Sequence, residues 1–252
     1  MTMAKPPASP YSGANASAPV DGVKRGCSEK RVIVIDPGHG GTENKPGSSA
    51  NNATSVSGPK EKTLTLEFAL SLRLQLASAE VKAIFESRGY CDVGVILTRE
   101  TDINLTGSQR VAVATVNKAD ILISIHFNGG GASARGTETF YKSASNPQQS
   151  NEAEDKALAQ TVNDGLYAAI RALDPGAKNR GAKPDTDTQL KSLGILRDAG
   201  IGLSGKMCRS ILIEVEFISN VAADALLVSG SNAKANRDAA MLGVAKALAR
   251  AL

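Results

Sequence analysis

Val32-Ile33-Val34-Ile35-Asp36-Pro37-Gly38-His39-Gly40-Gly41 is the stretch that decides how this chain folds. Residues 32–35 are continuously apolar and β-branched, which suits a strand buried on both faces. Pro37 and Gly38 permit a sharp exit from it, and Gly40-Gly41 let the backbone approach its surroundings closely. The histidine at that exit is one of only 2 in 252 residues. The other closes a second apolar run, Ile121-Leu122-Ile123-Ser124-Ile125-His126. Neutral imidazole is the commonest protein metal ligand, and two imidazoles with carboxylates nearby make a zinc site the leading reading. A nucleotide loop is the rival. It fails because Gly38-x-Gly40 lacks a third glycine, Glu43 stands where that glycine belongs, and no helix follows at once.

Residues 42–59 read as a Gly/Asn/Ser-rich loop. A helix begins near Glu61, with Leu66, Leu70, Leu74, Ala77, Val81 and Ile84 as its apolar stripe and Gly89 as its stop. Residues 93–98 read as a strand, 105–116 as a helix, 121–126 as a strand and 129–131 as a turn. A strand over 137–141 and a helix over 152–173 follow, the latter stopped by Asp174-Pro175-Gly176. Residues 179–187 read as a polar loop, 193–197 as a short strand, 210–215 as a buried strand and 233–251 as a closing helix. No repeat of fixed period is visible. The alternation predicts a single α/β domain with a mostly parallel sheet. In such sheets ligands bind at the carboxyl ends of the strands. His39, His126 and Glu214 each fall at or just past a strand end, so three potential site residues converge on one edge.

Composition narrows the function. The chain is 42% hydrophobic but has no Trp and only 4% aromatic residues, so its core is aliphatic. A nucleic-acid reader that works by stacking would need more aromatic surface. A formal charge of +4 is compatible with an acidic polymer without implying one. Cys27, Cys91 and Cys208 lack metal spacing and read as two small buried residues and one in a leader, with one disulfide open in an oxidising compartment. No run approaches a membrane span. Residues 1–30, rich in Pro, Gly, Ser and Ala, read as a disordered leader, and the domain as residues 31–252. Lys5 is followed by Pro6-Pro7-Ala8-Ser9-Pro10, with no apolar signal-peptide core.

Several motifs now line up in order. They are Val34-Ile35-Asp36-Pro37-Gly38-His39-Gly40-Gly41, Glu61-Lys62, Leu97-Thr98-Arg99 and Ser124-Ile125-His126-x-Asn128. Gly136-Thr137-Glu138, Asn179-Arg180-Gly181, Leu196-Arg197 and Glu214-x-x-Phe217-Ile218-Ser219-Asn220 complete the set. In this the chain resembles the zinc-dependent N-acetylmuramoyl-L-alanine amidases that cleave bacterial peptidoglycan. The resemblance runs from about Arg31 to Leu252. It implies a central, mostly parallel sheet flanked by helices on both faces, and one Zn²⁺ held by two histidines and a glutamate. His39 and His126 match the histidine ligands, and Glu61 matches the carboxylate ligand. Glu67 is the rival, but six residues turn a helix by about 600°, so the two glutamates point some 120° apart.

Glu214 matches the family's catalytic carboxylate. A glutamate at the end of Ile211-Leu212-Ile213 is costly unless paired or used. Near zinc it serves as general base on the water and then as general acid toward the leaving amine. Glu216 departs from the family, which carries a small residue there. On a continuing strand it shares a face with Glu214, about 7 Å away, unless it turns out into solvent. Phe127, where a small residue is common, is a milder departure. Arg99 and Arg110 read as structural ion-pair partners.

The expectation is hydrolysis of the bond between N-acetylmuramic acid and L-alanine, at the bacterial cell wall or in the periplasm. Residues 142–209 offer one ordinary helix and a polar loop, without the extra helix that blocks the zinc site in regulated cell-division members. That predicts an open site controlled by delivery. A phage endolysin, an exported toxin with an immunity protein as partner, and a truncated autolysin all fit. No wall-binding second domain is visible.

Overall fold

The computed structural model describes residues 30–145, 151–197 and 207–252. The expected leader lies, but for Lys30, outside the described residues. Six strands form one sheet: β1 (Lys30–Pro37), β2 (Asp92–Leu97), β3 (Ile121–Asn128), β4 (Thr137–Tyr141), β5 (Asn179–Pro184) and β6 (Arg209–Phe217). Their order is β2-β1-β3-β6-β4-β5. The first four in that order are parallel, and β4 pairs antiparallel with β6 and parallel with β5. The helices are α1 (Glu61–Leu76), α2 (Ala79–Ser87), α3 (Gly107–Val116), α4 (Glu152–Leu173), a short α5 (Val221–Asp224) and α6 (Ala233–Ala251). This is the predicted α/β architecture.

Strand alternation sorts the core into two layers. Ile33, Ile35, Ile121, Ile123, Ile125, Ile211 and Ile213 point to the face covered by α1, α2, α4 and α6. Val32, Val34 and Leu122 point to the other face, against Val111 and Ala114 of α3. Helices therefore cover both faces.

Three local readings need correction. The stripe proposed for α1 is not its buried face: Leu64, Phe68, Leu72 and Leu76 are buried, whereas Leu74 is exposed and Leu66 and Leu70 are half-buried. The helix packs on β1 and β3 and also on α6, so it carries apolar residues around much of its girth and offers two competing stripes. It also ends at Leu76; Ser78 caps α2 by accepting a hydrogen bond from Val81 N. Second, residues 179–184 of the supposed loop form β5, an outermost strand that pairs with β4 alone. Being half-exposed, it needs no apolar alternation. Third, the expected strand over 193–197 is a single 3-10 turn, Gly194–Leu196, whose Leu196 packs on Phe140 and Leu212.

Cys91 is disulfide-bonded and Cys208 is a buried thiol. No described helix is long and apolar enough to cross a membrane.

Candidate metal centre and catalytic edge

The carboxyl ends of β1, β3 and β6 lie on one edge, and so does the amino end of the reversed strand β4. In register, His126 stands beside Glu214, and Glu214 beside Glu138, so the three side chains share a face. His39 arrives from the β1 exit with φ of 59°, a left-handed conformation that turns its ring back over the edge. Two buried arginines hold that exit. Arg110 donates to Asp36 Oδ1, Pro37 O and His39 O, each at 2.8 Å. Arg99 donates to Pro37 O at 3.0 Å and to Gly38 O and Lys62 O at 2.8 Å. Arg110 is thus the ion-pair partner expected. Arg99 mostly binds carbonyls and ties the β1 exit to α1; burial and the neighbouring Arg110 push its pKa down to about 10.

Glu61 is the first residue of α1, where the helix dipole favours an anion. Its Oε2 accepts from Ala53 N at 3.0 Å and its Oε1 from Phe127 N at 3.1 Å. Oε1 also lies 3.0 Å from His39 Nε2 and 3.2 Å from His126 Nδ1. One ligand atom from each of these three residues lies within 4.8 Å of the others. His39 Nδ1 is 3.0 Å from Ser49 O, and since a carbonyl only accepts, that nitrogen carries the proton. The Nε2 lone pair is then free to bind. It is buried and makes no aligned hydrogen bond despite its nearness to Glu61. Two imidazoles and a carboxylate aimed at one point, with an orphaned nitrogen among them, suit a zinc-type ion.

Burial alone would raise the Glu61 carboxyl, but the imidazoles of His126 and His39 outweigh it and hold it far below the usual range. Burial pushes His126 down, which keeps it neutral and able to ligate. Glu214 moves the other way: burial first, then Glu61 and Glu138, push it well up. Its Oε2 is enclosed and has no hydrogen-bond partner. That is the state of a carboxyl able to exchange a proton.

A family model for N-acetylmuramoyl-L-alanine amidases of the third type matches residues 33–246. The chain belongs to this family. The amidase AmiC of Neisseria meningitidis is 30% identical over 82% of this chain and 50% of its own length. The endolysin of Bacillus phage SPP1 is 30% identical over 80% of this chain and 60% of its own. Several curated relatives thus extend well beyond the span matched, although an uncharacterised Bacillus subtilis protein, YqiI, matches at 29% over 71% of both chains. Among solved structures, the catalytic domain of the amidase CwlV of Paenibacillus polymyxa has a TM-score of 0.60 at 26% identity, covering 86% of this chain and 96% of that one.

The fold brings together His39, Glu61 and His126, with Glu214 alongside. Glu67 is excluded from the cluster: it is exposed on α1 and pairs with Arg237 of α6. Glu216 is not turned into solvent. It is fully buried and accepts hydrogen bonds from Gly136 N and Phe217 N, with Arg135 3.5 Å away. It therefore pins the β3–β4 turn to the end of β6. Phe127 is buried edge-on against Phe68, at 4.8 Å between ring centroids. Glu138, Asn128 and Arg180 stand in separate sequence motifs, but their meeting is new: Glu138 accepts from Asn128, Arg180 and Lys183 beside Glu214. Only cross-strand register reveals it. Where a blocking helix would be sought, residues 146–150 and 198–206 lie outside the described residues; the described part of 142–208 contains α4, β5 and single 3-10 turns.

Proposed function

We propose that this chain hydrolyses the amide between the lactyl group of N-acetylmuramic acid and L-alanine of the peptidoglycan stem peptide. His39 Nε2, Glu61 and His126 Nδ1 would hold a Zn²⁺ ion. When bound, the ion supplies a Lewis acid for the carbonyl and acidifies water to a usable nucleophile near neutral pH. Glu61, hydrogen-bonded to two backbone amides, keeps the ligand set in place. Glu214 takes the proton from the attacking water and delivers it to the departing alanine amine. Its raised pKa favours holding the proton between the two steps.

One observation carries the reading. Three ligand atoms converge within 4.8 Å, one of them a buried nitrogen without a hydrogen bond, beside a carboxylate with an orphaned oxygen. Family membership and the cell-wall relatives support it. Glu214→Gln should retain bound zinc by elemental analysis while stem-peptide release from sacculi, followed by mass spectrometry, falls at least about 100-fold. Cuts inside the peptides, in place of intact stems, would show a peptidase instead. Action at the cell wall or periplasm follows from the substrate. Delivery as a phage endolysin, as an autolysin or as a toxin paired with an immunity protein is compatible with the same chemistry.

A further inference from the structure

We propose that Arg180 and Lys183, held on Glu138, form a subsite for the first free carboxylate of the stem peptide beyond alanine. The proposal rests on the amidase reading of this edge and specifies what else the site grips.

A row of side chains crosses the sheet. His126 of β3, Glu214 of β6 and Glu138 of β4 are register neighbours, and the next partner is Gly181 of β5. Neighbouring strands lie about 4.8 Å apart, so the row runs about 10 Å from the catalytic carboxylate to β5. Gly181 leaves that end open: a Cβ there would meet nothing within 4 Å. Arg180 and Lys183 flank the opening. Arg180 Nε donates to Glu138 Oε2 at 2.9 Å, and Lys183 Nζ binds the same oxygen.

Two cations share one carboxylate, which leaves an excess positive charge. Both side chains are partly exposed, at 40% for Arg180 and 28% for Lys183. The guanidinium carbon also lies over the Phe217 ring, 5.1 Å from its centroid, which favours that position. Only Nε is committed to Glu138, so among the described residues the two terminal nitrogens keep their donors for another oxyanion. A planar fork with an ammonium beside it is the arrangement that grips a carboxylate. An extended peptide advances about 3.5 Å per residue. A stem peptide laid along this row from Glu214 toward β5 therefore brings its second or third residue to the cations. Stem peptides carry free carboxylates beyond alanine, and Glu138 keeps both cations extended toward them before substrate arrives.

The test compares two soluble muramoyl-tripeptides that differ only in the residue after alanine, which carries either a free α-carboxylate or its carboxamide. The wild-type chain with zinc should cleave the carboxylate form with kcat/KM about tenfold higher. Arg180→Gln and Lys183→Gln should each bring the two substrates toward parity, whereas Arg180→Lys should keep part of the preference. Equal rates on both substrates by the wild type overturn the subsite while leaving the amidase reading intact. An undiminished preference in both Gln variants overturns it too. Release of an alanine-terminated peptide from neither substrate overturns the reaction itself, and the subsite with it. The wild-type comparison stands without any variant, so a variant that fails to fold cannot rescue the proposal.

Discussion

Gly38 carries no chemistry, yet the candidate metal centre depends on it. A Cβ at this position would lie 2.3 Å from His126 Cε1. His126 can reach Glu61 only because it lies across bare backbone. Gly38→Ala should leave the far-ultraviolet circular dichroism unchanged but weaken zinc binding about 10- to 100-fold, as measured by competition with a chromogenic chelator. Glu138 acts at the same scale through charge. It is one of the two carboxylates that, after burial, raise Glu214. Glu138→Gln removes a negative neighbour, so the Glu214 pKa falls and its base form persists to lower pH. The acid limb of the kcat/KM profile should shift toward lower pH; a shift the other way would remove Glu138 from the electrostatics of the base.

Among the elements, β1 and α3 are joined by the buried pair of Asp36 and Arg110, 2.8 Å apart. Burial raises Asp36, but Arg110, Thr98 and Ser124 outweigh it, and its pKa lies below the ordinary 3.8. A carboxyl with a depressed folded pKa contributes stability above its unfolded pKa and loses it as pH falls through the folded value. Urea denaturation of wild type should therefore show a loss of stability below about pH 4. Asp36→Asn should cost about 3–5 kcal/mol at pH 7, because Arg110 is left buried without its carboxylate, and should flatten that acid limb. The elements also show what a sequence can and cannot tell. β1, β3 and β6 were legible because strands buried on both faces read as unbroken apolar runs. β5 was not, because its stability comes from pairing with β4 and its residues need no pattern. The buried face of α1 was ambiguous because two neighbours claim different sides of one helix. The meeting of His39, His126 and Glu214 was legible from strand ends alone, and Glu61 from its motif. The Glu138 row was not, since register belongs to the folded sheet.

For the whole molecule, the ligand atoms come from three separate stretches of chain, so ion binding is coupled to tertiary structure. An ion bound only by the folded state stabilises it by about 2.7 kcal/mol at 100 times Kd. Chelation should therefore abolish hydrolysis and also lower Tm by several degrees, with zinc restoring both in a differential scanning fluorimetry titration. An unchanged Tm with activity lost would mean that the ion binds too weakly to matter for folding.

The position of β6 has one more consequence. Among the described strands β6 is the last in sequence, yet it lies between β3 and β4, in the interior of the sheet. On the ribosome, residues 39, 61 and 126 emerge long before residue 214. The three candidate ligands can therefore meet on β1, α1 and β3 first, and Glu214 joins them only when the late strand slots between two earlier ones.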